Sequence, residues 1–319
     1  MYFNRRLVAV CLAWLAVSWP AMAQNFPTKP VRIVIPFAPG GSTDANARII
    51  QDKLSTLWGQ PVIIDAKPGA NTLIGTELVA KSPGDGHTLL LTSTAMVVNP
   101  SMYAKLPYDT LSDLVPITIV SVSPIALVTP VDSPYKSIKD VLATLRANPT
   151  ALSFGVSDSS AMLSGHLFNM LAKSEMQPIS YKGAGPLMID LAGGHVPLGI
   201  AAVSSVQGQV KGGRVRILGV GSVQPSSLFP QAPPIAGELP GYEAISWFGL
   251  LAAKGTPPDV VQKIHRDVSQ VLKDPEVQQK LQGLGADPGG LPPAEFQARI
   301  RREIELWGRV AKAAKIQPE

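Results

Sequence analysis

The sequence predicts an α/β protein with mostly parallel sheets, divided into two domains, and three observations carry that reading. Short apolar, β-branched runs alternate with amphipathic helical patterns along the chain. A chain of 319 residues, less a 23-residue leader, leaves 296, more than one core usually organises. The first strand runs into a glycine-bearing turn and then a helix, the place where open α/β sheets bind ligands.

The chain starts with an export leader. Arg5 and Arg6 precede the apolar run Leu7 to Trp19, and Ala21-Met22-Ala23 supplies the small residues of a signal-peptidase site, predicting cleavage after Ala23 and a mature chain from Gln24. That run is 13 residues long, whereas a membrane-spanning helix needs roughly 20. Cys11 is the single cysteine and lies inside the run, away from the cleavage boundary, so lipid modification of an N-terminal cysteine is not expected. The mature chain would hold no thiol, which excludes a disulfide, a cysteine nucleophile and a thiolate metal site. The formal charge of +5 falls to +3 when Arg5 and Arg6 leave, and no dense Lys/Arg run interleaves with aromatics, so nucleic acid is not an expected partner. The mild positive balance suits an anionic ligand but equally describes ordinary solvated surface.

Buried strands are predicted at Val31–Ile35, Val62–Ile64, Thr88–Thr92, Ile117–Val120, Ile125–Val128, Leu152–Val156, Val215–Val220 and Phe248–Ala252. After the first strand, Ala45, Ile49, Leu54, Leu57 and Trp58 share a helical face, and Ser137 caps a helix carrying Ile138, Val141, Leu142 and Leu145. The C-terminal third is helical, with one stripe of Val260, Val261, Ile264, Val268, Val271 and Leu272 and another of Phe296, Ile300, Ile304, Trp307 and Ala311. Thr256-Pro257-Pro258-Asp259 is a start signal with Thr256 as cap, and Asp274-Pro275-Glu276 is a second. The stretch Gln224 to Gly241 holds five prolines and reads as an ordered surface connection or a crossing between domains. No internal sequence repeat is evident.

Pro36-Phe37-Ala38-Pro39-Gly40-Gly41-Ser42-Thr43-Asp44 is the strongest local feature. Gly40 and Gly41 let backbone approach a ligand, and the free N–H groups at a helix start attract an anion; equally, the turn is a plain strand-to-helix connection capped by Ser42 or Thr43. It lacks both the Lys-Ser/Thr of a phosphate loop and the G-x-G-x-x-G of a dinucleotide fold. Lys67-Pro68-Gly69-Ala70-Asn71-Thr72-Leu73-Ile74-Gly75 repeats the geometry before a helix with Leu78 and Val79 inward. At Thr92-Ser93-Thr94, hydroxyls at a strand end either donate to a ligand or cap the next segment.

These motifs resemble the extracytoplasmic solute receptors of tripartite tricarboxylate transporters, the Bug or TctC-like proteins, over essentially the whole mature chain. The resemblance rests on Phe26-Pro27-Thr28-Lys29-Pro30-Val31-Arg32 leading into the first glycine turn, on Lys67-Pro68-Gly69-Ala70-Asn71, and on Ser82-Pro83-Gly84-Asp85-Gly86-His87-Thr88-Leu89-Leu90. Tyr181-Lys182-Gly183, Trp247-Phe248-Gly249-Leu250 and Gly255-Thr256-Pro257-Pro258 complete it. It implies a type II-like, two-lobed periplasmic binding protein, monomeric, without metal or organic cofactor, that closes over a small carboxylate and delivers it to membrane components of the transporter. Lobe 1 is expected at 26–124 with 247–319 and lobe 2 at 125–246.

The glycine turn and the strand-end hydroxyls single out Gly40 and Thr92 as candidate contacts, and by matching position the resemblance assigns ligand contacts to Phe37, Gly41, Ser42, Asn71 and Thr72 from lobe 1. From lobe 2 it assigns Ser157, Ser160, His166, Tyr181, Gly183 and Ala202. Asn71 stands where a further glycine is usual, Asp158-Ser159-Ser160 varies the usual serine/glycine turn, and Pro197 replaces a common acidic residue. Ala201-Ala202-Val203 is less polar than pairing an ammonium group requires, which favours a plain carboxylate or dicarboxylate, with an apolar or aromatic body allowed, over an amino acid.

Catalysis finds little support. His87 lies in a glycine-rich turn, His195 beside Gly194 and His265 on the exposed side of a helix, all reading as surface or capping residues, while His166 is open between structural use and ligand contact. H-E-x-x-H and paired zinc-ligand spacings are absent. Gly155-Val156-Ser157-Asp158-Ser159 has the strand-end place of a nucleophile elbow but lacks its second glycine, and a triad with Asp158 and His166 needs contacts that nearness in sequence does not provide. A ligand sensor feeding a membrane kinase uses the same lobe closure as a transport receptor and is not separated from it by sequence.

Overall fold

The computed structural model describes residues 26–224 and 229–318. The leader, its apolar run and the cleavage boundary, together with residues 225–228 of the proline-rich connection, lie outside the described residues. Among those described, no helix is long and apolar enough to cross a membrane.

Strands β1 (Val31–Ile35), β2 (Val62–Ala66) and β3 (Thr88–Ser93) alternate with helices α1 (Ser42–Trp58), α2 (Leu73–Ala80) and α3 (Ala95–Met102). The long strand β4 (Leu114–Pro130) leads to α4 (Ile138–Ala147), β5 (Ser153–Val156), α5 (Ser159–Ala172), β6 (Gln177–Ser180), α6 (Ala184–Ala192), β7 (Leu198–Ala202), α7 (Val203–Lys211) and β8 (Val215–Val220). The chain returns through β9 (Ile245–Ala253), α8 (Pro258–Val271), α9 (Pro275–Gly283), β10 (Asp287–Pro288) and α10 (Pro293–Ala313).

The strands form two sheets that share β4. The first runs β2-β1-β3-β9-β4 with β10 on the outer edge of β4, and the second runs β6-β5-β7-β4-β8. Pairs β1–β2, β1–β3, β5–β6 and β5–β7 are parallel, while every pair made by β4 or β9 is antiparallel, so both sheets are mixed, with β9 reversed among β1, β2, β3 and β4 and β4 reversed among β5, β6, β7 and β8. The two sheets repeat one strand order although no sequence repeat marks it.

Beta alternation sorts each sheet's side chains into two cores. In the first sheet Ile33, Ile35, Leu89 and Leu91 face α1, α8 and α9 through Ile50, Leu54, Ile264 and Val268. Val34, Leu90 and Leu251 face the opposite way, onto Val79, Met96, Phe296 and Ile300 of α2, α3 and α10. In the second sheet Ala126, Val128 and Ala201 pack on Leu187, Leu191 and Val206 of α6 and α7, and Leu127, Phe154 and Ile200 pack on Val141, Leu163 and Leu167 of α4 and α5. Each lobe is thus a helix–sheet–helix sandwich, with the buried aliphatic side chains contributing about 1.5–3 kcal/mol apiece.

Local signals explain most helix starts. Ser137 forms a capping box with Asp140, and Asp274 accepts the Glu276 N–H at 2.8 Å. Three expectations change. The buried face of α1 is Ala47, Ile50, Leu54 and Trp58, while Leu57 is exposed, because the helix meets α8 and β2 one step round from the predicted stripe. Thr256 does not cap α8: its hydroxyl donates back to the Ala253 carbonyl at 2.7 Å, and Pro257 holds the cap position. The predicted strands Ile117–Val120 and Ile125–Val128 are one strand. The apolar pattern breaks at Ser121 and Ser123 because both are buried and hydrogen-bonded, Ser121 to Asn46 Oδ1 at 2.6 Å and Ser123 to the Gly285 carbonyl at 3.0 Å. Strand β6 escaped the sequence reading because it is an exposed edge strand carrying Pro178.

Strand β4 passes from one sheet to the other between Pro124, paired with Ile245, and Ile125, paired with Ala202. The return is stitched beside it: Ile125 N–H donates to Ala244 O at 3.0 Å, Ala244 N–H to Gly221 O at 2.9 Å, and Gly221 N–H to Ile125 O at 2.7 Å. Helix α10 packs on both lobes, against α3 and β4 on one side and α5 on the other.

Candidate functional site

Register places six strand ends around the crossing. Ser93 at the end of β3 is level with Phe248 and hence with Ser121, while Ala202 at the end of β7 is level with Ile125. Because β1, β2 and β3 run parallel, as do β5, β6 and β7, the six strand-to-helix turns open onto the space between the lobes. Thr94 Oγ1 and Ser160 Oγ lie 3.2 Å apart, joining the turn after β3 to the turn after β5.

In the first turn Gly40 takes φ 84°, a conformation glycine adopts without strain, and its N–H donates to Asp44 Oδ2 at 2.9 Å. Arg48, whose Nε is 3.0 Å from the same oxygen, holds the Asp44 carboxyl below its usual range, with the Gly40 N–H adding to the effect. Phe37 is half-buried, and Gly41 and Ser42 are exposed. Gly41 sits at the N-cap of α1 with no side chain capping it, so neither Ser42 nor Thr43 takes that role and the first amides of α1 are left for solvent or ligand.

The second turn is more contorted. Ala70, Asn71 and Thr72 have φ values of 44°, 46° and 79°, three successive non-glycine residues in the left-handed region, each costing about 1–3 kcal/mol. Asn99 on α3 is fully buried and holds this turn: its Oδ1 accepts Asn71 Nδ2 at 3.0 Å, and its Nδ2 donates to Asn71 O at 3.0 Å and Thr72 Oγ1 at 3.1 Å. Gly75 brings the first two turns together, since a Cβ there would stand 2.8 Å from both Lys67 O and Pro36 Cβ.

On the second lobe, Asp158 caps α5 by accepting the Ala161 N–H at 2.9 Å, and Ser157 Oγ donates to Asp158 Oδ2 at 3.3 Å. Tyr181 lies over Gly155, its hydroxyl donating to Asp190 Oδ2 at 2.8 Å, and burial pushes the phenol's pKa up. Gly183, at φ 99°, and Ala202 stand at the N-caps of α6 and α7 without side-chain caps.

The cleft therefore gathers Phe37, Gly40, Gly41, Ser42, Asn71, Thr72, Ser157, Ser160, Tyr181, Gly183 and Ala202 at its six strand ends. It does not gather Thr92 or His166. Thr92 is fully buried behind the end of β3 with its hydroxyl closed from solvent. His166 is seven residues into α5, roughly 10 Å along its axis, edge-on to Phe154 and lining a separate groove with Lys173 and Lys315; burial lowers its pKa. That position also sets it apart from Ser157, whose hydroxyl donates to Asp158 Oδ2. His87 is structural, its Nε2 accepting the Thr28 N–H at 3.2 Å and its ring packed on Phe26, and His265 is half-buried rather than exposed. Sequence reading singled out Thr94 within Thr92-Ser93-Thr94 and included Asp44 in the first turn without giving it a role, but did not reach Asn99 or Asp190; for Asn99 the available signal was a lone amide in an otherwise apolar helix.

Of the helices that start at the cleft, α1, α2, α3, α6 and α7 have no side-chain cap, and α5 alone is capped. Their amides are a source of partial positive charge, faced in α1 by the first-turn carboxylate of Asp44 and in α2, α3, α6 and α7 by no acidic residue in the first turn. Two α/β lobes joined by a paired crossing, with uncapped helix starts on both walls, are the architecture of a two-lobed periplasmic solute-binding protein. The profile described as "Tripartite tricarboxylate transporter family receptor" matches residues 46–316. BugT of Bordetella pertussis is 33% identical over 312 residues, 96% of this chain and 95% of BugT. The structure of Rpa4515 of R. palustris with adipate is 34% identical, with TM-score 0.77, covering 92% of this chain and 100% of that one. MatC from Rhodopseudomonas palustris with bound malate is 27% identical, with TM-score 0.73, covering 90% and 100%. The chain belongs to the tripartite tricarboxylate transporter receptor family, whose fold is that of binding proteins.

Proposed function

We propose that this receptor captures a small plain carboxylate or dicarboxylate, with space for an apolar or aromatic body, in the periplasm and hands it to the membrane components of a tripartite tricarboxylate-type transporter. The observation that carries the reading is the set of uncapped helix starts on both walls of the cleft, which offers backbone N–H donors to a carboxylate at each end. No lysine or arginine is needed to hold the charge, and the apolar Ala201-Ala202-Val203 wall disfavours an ammonium group. Adipate and malate, the ligands of two structurally characterised relatives, are of this class.

Ligand contacts come from Phe37, Gly40, Gly41, Ser42, Asn71 and Thr72 of lobe 1 and from Ser157, Ser160, Tyr181, Gly183 and Ala202 of lobe 2. The lobes divide at 26–124 with 247–319 and 125–246 and close about the paired crossing. The protein acts as a monomer, without catalysis, after cleavage following Ala23.

Thermal-shift screening of the chain from Gln24 onwards tests this, against mono-, di- and tricarboxylates, aromatic acids and amino acids. A ligand bound by the folded state alone adds about 2.7 kcal/mol of stability at a hundredfold excess over its Kd. A shift with dicarboxylates such as adipate or malate is expected. A shift with glutamate or aspartate and none with plain carboxylates would overturn the ligand class.

A further inference from the structure

The turn Gly69-Ala70-Asn71-Thr72 must hold three strained residues in place before any ligand arrives, because the amides that open α2 are aimed by that turn. Its own backbone contributes one bond, from Leu73 N–H to Ala70 O, and Thr72, at the N-cap of α2, makes no capping bond with its side chain. The restraint comes from α3, one helix further along the chain. Asn99 is fully buried, and its amide group makes three hydrogen bonds to two residues of this turn. Two of them form a reciprocal pair with Asn71, side chain to side chain and side chain to backbone.

The geometry points to Asn99 as a positioning residue for ligand binding: through the reciprocal pair with Asn71 it locks the second cleft turn in its left-handed conformation, so that the turn meets the ligand preformed. The assignment rests on the receptor reading above. It accounts for Asn71 at φ 46°, a conformation that, after glycine, asparagine and aspartate adopt most readily. Asparagine tolerates that conformation, and its Nδ2 supplies one of the three bonds that a glycine there would forfeit. Preformed loops bind more tightly because the cost of ordering them is not subtracted from the contacts they make.

The test compares wild type, Asn99→Ala, Asn71→Gly and the double variant. Three quantities are read: amide hydrogen exchange across residues 70–74 in the ligand-free protein, calorimetric Kd for adipate and malate, and melting temperature. In Asn99→Ala the 70–74 amides should exchange at least about tenfold faster and Kd should rise about tenfold, comparable to one lost hydrogen bond. Asn71→Gly, at an exposed position, should fold normally and show smaller changes of the same sign. The double variant should be little worse than Asn99→Ala, because the two residues act through one pair. A lower melting temperature with unchanged exchange at 70–74 and Kd within twofold would make Asn99 merely structural and overturn the assignment. Should Asn99→Ala fail to fold, unchanged exchange in Asn71→Gly overturns it equally. If wild type binds neither acid, the ligand reading falls, while the exchange comparison still decides whether Asn99 locks the turn.

Discussion

Thr94 Oγ1 and Ser160 Oγ touch across the space between the lobes, 3.2 Å apart, one following β3 and the other heading α5. Two hydroxyls at that distance mark a place where the walls meet. With residues 1–23 removed the chain has no cysteine, so Thr94→Cys combined with Ser160→Cys would introduce its only thiols. On oxidation they should cross-link, and adipate or malate association should slow more than about tenfold, recovering on reduction, because a ligand enters only the open form. Thiol titration with stopped-flow binding would check this. An oxidised protein that is fully cross-linked yet binds at the reduced rate would remove this contact from the gating step.

Gly75 is where α2 leans on both Lys67 O and Pro36. Gly75→Ala should destabilise the fold by about 1–3 kcal/mol, as overpacking does, and should weaken ligand binding, because the alanine pushes the first two cleft turns apart. Urea denaturation and calorimetry on one preparation would show it. Unchanged stability would mean that Pro36 yields freely.

Much of this cleft was legible in the sequence, for a physical reason. Gly40, Gly69 and Gly183 advertise backbone conformations that other side chains resist, and turns at strand ends can be located from apolar runs alone. Residues that act from outside a turn leave no such mark. Asn99 sits among Met96, Val97 and Val98 and reads as part of a buried helix until its partners 28 residues earlier are known. Thr92 and Thr94 are indistinguishable in sequence, yet strand alternation and the start of α3 bury the first and send the second across to Ser160. His166 failed for a matching reason: its place two turns along α5 depends on where that helix starts.

Glu303 on α10 is half-buried, accepting hydrogen bonds from Trp247 Nε1 at 2.8 Å and Arg299 Nε at 2.6 Å. Burial outweighs both and raises its pKa above the ordinary 4.5, with Glu243 adding to the rise. A carboxyl whose folded pKa is raised holds its proton more tightly in the folded state. Its contribution to stability is full below 4.5 and is lost as pH rises through the folded value. Glu303→Gln should remove that part of the pH dependence, so the variant's melting temperature gains on wild type as pH climbs from 4.5. A difference constant across pH would show that Glu303 titrates normally.

Expression with the leader intact should yield, from the periplasmic fraction, a protein whose intact mass corresponds to residues 24–319. Mass spectrometry reads the boundary directly, and a species retaining residues 1–23 in that fraction would overturn cleavage after Ala23.

Strand β9 lies between β3 and β4 in the first sheet, although the whole second sheet intervenes in sequence. While the chain is being made, the slot between those two strands stays vacant until residue 253 has appeared, and the outer cover supplied by α10 comes later still. The amino-terminal lobe is therefore the last to become compact. Closing the first sheet thus depends on pairing residues as far apart in sequence as Leu89 and Ala252, the kind of non-local contact that slows folding.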